Sequence, residues 1–234
     1  MVYSLEGEAS CLMAAVTSRI PLFPLGVVLF PTSKVPLHIF EDRYKKLCED
    51  ALKNHSTFGI NYVEEDKLHS IGCTAQIADV IKRYPDGKLD IITEGVRRYE
   101  IVKFEQGPEN ELSYATVRWI EDVQEERDKR LAEEAISLFN ELCDLAYKGT
   151  IDALDAAVWR ASDKLPSFAI AQKSGLEADQ RQALLSITSE NERLSILKNF
   201  LSQLLPRVKE IETINELIRN DGYIVTWNNK KKKK

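Results

Sequence analysis

Four cysteines, three histidines and scattered acidic pairs are the side chains of this sequence that could do chemistry. A thiolate can attack a carbonyl or hold a metal, an imidazole can carry a proton, and paired carboxylates can divide acid and base roles. Their placement argues against each. Cys11, Cys48, Cys73 and Cys143 lie far apart and match neither a zinc spacing nor the framework of a small secreted domain. They read as free thiols in a reducing compartment. His38, His55 and His69 are equally scattered, so no metal site is expected. Glu64-Glu65 and Glu133-Glu134 read as solvated loop and helix faces. Gly87-Lys88 is followed by Leu89 and lacks the earlier glycine of a phosphate-binding loop, and neither G-x-S-x-G nor H-E-x-x-H occurs. Residue chemistry therefore points to a binding protein, not an enzyme, with no cofactor.

Such a protein must position its binding residues on packed elements, and 234 residues suffice for one large domain or two small ones. Apolar residues at 44% and charged residues at 29% fit a soluble globular chain. No apolar run approaches the roughly 20 residues of a membrane span, so no membrane partner is expected. The opening "MVYSLEGEASCLMAAVTSR" carries Glu6 and Glu8 and no basic residue ahead of its apolar patch, the reverse of a secretory leader. Residues 1–18 are expected to form a disordered lead-in, and the protein is expected in the cytoplasm. The net charge of −5 includes the terminal run Lys230–Lys234, so the rest is more acidic still. The run reads as a solvated tail. Nucleic acid is not an expected partner, because the acidic remainder would oppose phosphate binding.

Residues 20–120 read mostly as β. "GVVLF" (26–30) and "VPLHIF" (35–40) have the look of short strands bounded by proline, with Pro24, Pro31 and Pro36 at strand ends, edges or loops because they cannot donate to a ladder. "STFGINYVEED" (56–66) holds a strand ending in an acidic loop. "IGCTAQIADVIKRY" (71–84) runs into the turn "PDGK", and "LDIITEG", "RRYEIVKF" and "SYATVRWI" follow. In the last, Ala115, Val117 and Trp119 share one face. Strands at this spacing predict a small barrel-like or highly twisted sheet. One helix interrupts them: "EDRYKKLCEDALKNH" sets Tyr44, Leu47, Cys48, Ala51 and Leu52 at helical intervals, with Glu41 and Asp42 at its positive end.

The charged run "EDVQEERDKR" (121–130) marks a change to a period of 3.6. Residues 125–148 are predicted helical, with Leu131, Ala135, Leu138, Leu142, Leu145 and Ala146 along one stripe. A second helix is predicted over 150–164, ended by Pro166, and a third near 177–187 after Gly175. The fourth begins at "SENERL", where Ser189 and Glu192 have capping-box spacing. Its seam steps through Leu194, Leu197, Leu201, Leu204, Val208, Ile211 and Ile218, with Asn215 breaking the run and Pro206 expected to kink or divide the helix.

The segment "IPLFPLGVVLFPTSKVPLHIFEDRYKKLCEDAL" resembles the opening of the Lon protease N-terminal, substrate-binding domain family. The family pattern is an I/V-P-L-F-P-L segment, a V-L-F-P segment and P-L-x-I-F-E-x-R-Y leading into a helix, here Ile20–Leu25, Val28–Pro31 and Pro36–Tyr44. "IGCTAQIADVIKRYPDGKLDIITEGVRRYEI" is similar to the family's next conserved pieces, in order. The resemblance covers about residues 19–220 and is sharpest in the first motif. It implies an α+β fold: an N-terminal β-rich, PUA-like pseudo-barrel with one helix, followed by a C-terminal helical bundle. The expected division is a lead-in (1–18), a β-rich subdomain (19–122), a helical subdomain (123–220) and a C-terminal segment with the lysine tail (221–234). Full Lon proteases continue into ATPase and protease modules that are not in this sequence, so a stand-alone member is expected.

By resemblance the protein binds unfolded or extended polypeptide segments, as an adaptor linked to proteolysis, with homo-oligomers a further expectation. An ATP-independent hydrolase or peptidase and RNA binding through the PUA-like half are the alternatives. The shared motif residues read mainly as structural, Phe40 and Tyr44 anchoring the core and Arg43 and Arg98 pairing with charge. Phe40, Arg43 and Tyr44 are also the candidate peptide-binding residues, since exposed edges of a proline-punctuated sheet can accept an extended chain.

Overall fold

The computed structural model of the chain describes residues 17–147, 153–161 and 165–220. The lysine tail and the lead-in ahead of Thr17 lie outside the described residues. The fold is mixed α+β, with a sheet-rich N-terminal part and helices after it. The chain divides into two compact units, one from the residues up to Gly26 with Pro36–Ile120, the other from Val27–Val35 with the residues from Glu121 onward. No described helix is long and apolar enough to cross a membrane.

The first unit is built on β1 (Thr17–Leu25), β2 (Lys34–Ile39, whose first two residues belong to the second unit), α1 (Asp42–Asn54), β3 (Phe58–Glu64), β4 (Lys67–Arg83), β5 (Leu89–Glu105) and β6 (Tyr114–Trp119). The strand order is β2-β5-β4-β3-β1-β6, and β5 also pairs with β6, so five strands close on themselves with β2 attached to β5. Closure removes most exposed edges. β5 reaches both neighbours because it is long: "LDIITEG" and "RRYEIVKF", expected as separate strands, form one strand of 17 residues. Three register shifts between β4 and β5 supply the bulges that let such long strands bend.

Prolines fit β1 because its two pairings do not overlap. Residues 17–21 pair with β6 and residues 22–25 with β3. Pro21 and Pro24 therefore each sit where one side of the strand carries no ladder partner. "GVVLF" is not a strand. Val28, Leu29 and Phe30 are buried in the second unit without a ladder, the Phe30 ring 5.7 Å from that of Phe168. A short apolar run carries no period of its own, and burial alone accounts for this one.

Ile20, Leu22, Tyr99, Ala115 and Val117 form a core cluster of the β-rich unit, with Leu68, Ile101 and Trp119 packed on it. The Tyr99 ring lies so close over β3 and β4 that only glycine fits beneath it. A Cβ on Gly72 would stand 2.6 Å from the Ile60 carbonyl oxygen and 2.8 Å from Tyr99 Cζ. The Tyr99 hydroxyl donates to Asn61 Oδ1, and Asn61 Nδ2 donates to the His69 carbonyl at 3.0 Å. Gly72→Ala is accordingly expected to lower stability by about 1–3 kcal/mol, read as a drop in melting temperature; an unchanged melting curve would show that the sheet yields freely at this point.

The second unit holds α2 (Lys129–Leu142), a π-type turn (Cys143–Tyr147), α3 (Ala156–Ala161), α4 (Pro166–Lys173), α5 (Ala178–Ser186) and α6 (Glu190–Asn220). The helix expected from residue 125 begins at Lys129, and residues 121–128 form no helix or strand. Asp128 caps α2 by accepting from the Leu131 N–H at 2.9 Å. Pro166 starts α4 rather than only ending its predecessor, since its missing N–H costs nothing in a first turn. Ala135, Ile136, Phe139 and Leu142 are the buried face of α2, so Ile136 and Phe139 replace the expected Leu131 and Leu138. α6 runs undivided through Pro206. Leu194, Leu197, Leu201 and Leu205 are its buried seam, whereas Ile211 and Ile218, expected to continue it, are exposed.

Candidate functional site

The β-rich unit contains a cleft of about 710 Å³. The C-terminal half of β1, from Leu22 to Gly26, forms one wall. The end of β2 and the entry to α1 form the other, with Leu37 to Glu41, Arg43 and Tyr44. These pieces converge because β2 feeds α1 with no connecting loop beyond Phe40 and Glu41. Asp42 occupies the first turn of α1, favourable to the helix dipole, and the spacing of Tyr44, Leu47, Cys48 and Ala51 buries one face of the helix.

The three residues singled out from the motif all line this cleft, in different roles. Tyr44 is buried as an anchor, its ring stacked on Phe23 with centroids 3.9 Å apart, and burial pushes its hydroxyl pKa up. Arg43 is half-buried, its guanidinium 4.6 Å from the centre of the Tyr44 ring and 2.7 Å from a Glu41 carboxylate oxygen. Phe40 is not a core anchor. It is 57% exposed, because it lies between strand and helix, where neither element turns it inward. Arg98, the other residue expected to pair with charge, is buried away in β5.

Motif reasoning passed over His38, which also lines the cleft. Its Nδ1 lies 2.6 Å from Asp90 Oδ1, and the Tyr84 hydroxyl donates to Asp90 Oδ2 at 2.7 Å. The hydrogen bonds from His38 and Tyr84 hold the Asp90 carboxyl below its ordinary range. An ionised Asp90 only accepts, so Nδ1 carries the proton and His38 is fixed in orientation next to Phe40, the two ring centroids 6.2 Å apart. The only signal for it was position, two residues before Phe40 in the motif, at the end of β2.

The cleft presents an exposed aromatic ring, a second ring beneath a guanidinium, and a strand wall that has no β6 bridge partner past Pro21, although the Leu22 N–H still donates to the Ser113 carbonyl at 2.9 Å. The three thiols among the described residues are not poised for attack. Burial pushes Cys48 and Cys73 each up to about 12 and raises Cys143 as well, so a thiolate is scarce at neutral pH.

A family model described as the ATP-dependent protease La (LON) substrate-binding domain matches residues 19–203. The chain is 26% identical over 227 aligned residues to a Lon protease of Flavobacterium johnsoniae, covering 86% of this chain and 26% of that protein. It is 25% identical over 205 residues to a Lon protease of Bacillus thuringiensis, covering 82% and 26%. The chain thus spans about a quarter of the length of these curated relatives. Among solved structures it is similar to a Lon N-terminal domain protein from Xanthomonas campestris, with 28% identity and a TM-score of 0.60 over 77% of this chain and 96% of that one. The N-terminal domain of a Mycobacterium avium complex Lon protease shares the fold, with a TM-score of 0.59 at 24% identity over 79% of this chain and 98% of that one.

Proposed function

Because the chain belongs to the ATP-dependent protease La (LON) substrate-binding domain family, we propose that it is a non-enzymatic module that holds unfolded or extended polypeptide segments. An adaptor role linked to proteolysis follows from that reading. The observation that carries it is Phe40, a large aromatic ring left exposed on the wall of a cleft whose floor is made rigid by Tyr44 and Phe23. An apolar client side chain would cover Phe40, and the client main chain would lie along the end of β1 past Leu22. We read the closed five-stranded unit as a PUA-like pseudo-barrel and the helices as the bundle attached to it. Buried, unpaired thiols at Cys48, Cys73 and Cys143 suit a reducing compartment such as the cytoplasm.

Binding of this kind is weak, because a disordered segment loses conformational entropy on being fixed, and it depends little on salt, because apolar contacts and main-chain bonds supply it. The test is fluorescence anisotropy with a labelled unfolded apolar polypeptide and with single-stranded RNA, each at low and high salt. Polypeptide binding is expected at both salts, and Phe40→Ala is expected to weaken it roughly tenfold without lowering the melting temperature. Wild-type binding by Phe40→Ala, or tight and salt-sensitive RNA binding with none to polypeptide, would overturn the reading. Incubation with labelled casein, with or without ATP, is expected to give background turnover only.

A further inference from the structure

The helical unit has a cavity of its own, about 320 Å³, lined by Thr32, Ser33, Lys34, Phe139, Leu154, Ala169, Gln172 and Lys173. Its polar lining has one character. Lys34 and Lys173 are exposed ammonium groups with no ion-pair partner among the described residues, and no carboxylate lines the cavity with them. Ser33 and Thr32 add hydroxyls. The Gln172 carboxamide is left with an unsatisfied buried atom. Each of these polar side chains carries a donor, and the two strongest are cations. The rest of the lining is apolar: Phe139, Leu154 and Ala169.

Backbone strain coincides with this cavity. Thr32 is held at φ 63°, a left-handed conformation that a β-branched residue adopts only when its surroundings impose it. Ser33 follows it in a tight turn, its N–H donating to the Phe30 carbonyl at 3.2 Å. The buried stretch Val28–Phe30 anchors that turn, which brings Thr32, Ser33 and Lys34 together on the cavity.

We propose that this cavity binds a carboxylate carried on an apolar body. The carboxylate lies between Lys34 and Lys173, with the hydroxyls and the Gln172 amide as further donors. The apolar body covers Phe139, Leu154 and Ala169. Inorganic phosphate would satisfy the cations and leave the apolar lining bare, and an uncharged amphiphile would do the reverse. Two sources share the chemistry: the C-terminal residue of a polypeptide with an apolar side chain, and a free medium-chain carboxylic acid. The site is separate from the cleft of the β-rich unit and does not depend on what that cleft binds.

The experiment titrates the full chain with octanoate, octanamide and phosphate, and with an unstructured peptide ending in leucine, its C-terminus free or amidated. Binding is followed by calorimetry for the wild type and for the double variant Lys34→Gln, Lys173→Gln. Both lysines are exposed, so the variant is expected to melt as the wild type does. Octanoate or the free-carboxylate peptide is expected to bind at least tenfold more tightly than its amide, and the double variant is expected to lose that preference. Octanoate alone binding assigns the site to small carboxylates, the peptide alone assigns it to polypeptide termini, and both binding supports the shared chemistry. Equal binding of acid and amide, undiminished binding by the double variant, phosphate competing as well as octanoate, or no binding of either acid would each overturn the proposal.

Discussion

Arg193→Leu is expected to destabilise the helical unit by roughly 3–5 kcal/mol, seen as a lower denaturant midpoint with the slope of the transition retained. Arg193 is fully buried near the start of α6, and all five of its N–H groups are engaged. Nη1 and Nη2 hold the two Asp122 oxygens, Nη1 at 3.0 Å. Nη1 also donates to the Ile187 carbonyl at 2.7 Å, Nη2 to Glu190 at 2.7 Å and Nε to the Ser167 hydroxyl at 2.9 Å. The guanidinium carbon sits 4.3 Å from the centre of the Phe168 ring. Removing the cation takes the guanidinium away from Glu190, whose pKa burial already raises, and takes the two-pronged pair away from Asp122. Arg193→Lys is expected to recover only part of the loss, because an ammonium cannot span five donors in one plane. A triple variant, Arg193→Met with Glu190→Gln and Asp122→Asn, is expected to regain most of it, since the cost lies in the orphaned charges. An Arg193→Leu protein as stable as the parent would show that the network contributes nothing to folding.

The second large effect is Leu201→Asp. Leu201 lies within the buried seam of α6, at 0% exposure, between Leu197 and Leu205. α6 packs on α2, whose buried face is Ala135, Ile136, Phe139 and Leu142. A carboxylate placed there without a partner costs several kcal/mol. The helical signal in circular dichroism is expected to fall and the helical unit to unfold. Ile211→Asp is the matched control: Ile211 is 59% exposed on the same helix, and a change there is expected to stay within about 0.5 kcal/mol. A Leu201→Asp protein with the parent's spectrum and melting curve would mean that the seam does not carry the core.

Spacing specifies structure where one physical cause acts alone. α1 is such a place: Tyr44, Leu47, Cys48 and Ala51 recur at helical intervals, and those four are buried. β6 is another, where alternation alone placed Ala115 and Val117 inside. The motif also brought Phe40, Arg43 and Tyr44 to one cleft, although it could not tell that Phe40 faces solvent, because exposure at a strand–helix junction depends on how the chain turns there. The helix expected from residue 125 begins only at Lys129. Residues 121–128 are mostly exposed, as their charges promise, but Glu125 accepts from the Ser189 hydroxyl and the Asn191 N–H, each at 3.0 Å, and Asn191 Oδ1 accepts from the Asp128 N–H at 2.9 Å. The Asn191 N–H, ahead of smaller contributions, holds the Glu125 carboxyl below its usual range. Such bonds join residues more than sixty positions apart, and no local pattern announces them. Arg193 was hidden likewise, since Glu190 three residues before it suggests an ordinary exposed helix pair. On α6 the shift of burial from Leu204 to Leu205 reflects a 3.6-residue helix drifting from a strict three-and-four step.

The segment Val27–Val35 belongs to the helical unit, although the chain on both sides of it belongs to the β-rich one. In the order of synthesis, this places an early piece of sequence in a unit whose other residues begin only at Glu121. Val28, Leu29 and Phe30 must therefore wait, apolar and uncovered, while the whole of β2 to β6 is made. β1 waits too, since Thr17 pairs with Arg118 across about a hundred residues. Contacts of such long sequence separation make folding slow, because loop closure precedes any gain from pairing. The two units are thus interleaved in time as well as in sequence. Neither can be completed from a continuous stretch of chain, and a ribosome-bound intermediate has to keep the Val28–Phe30 run shielded at least until α4, which carries Phe168, emerges.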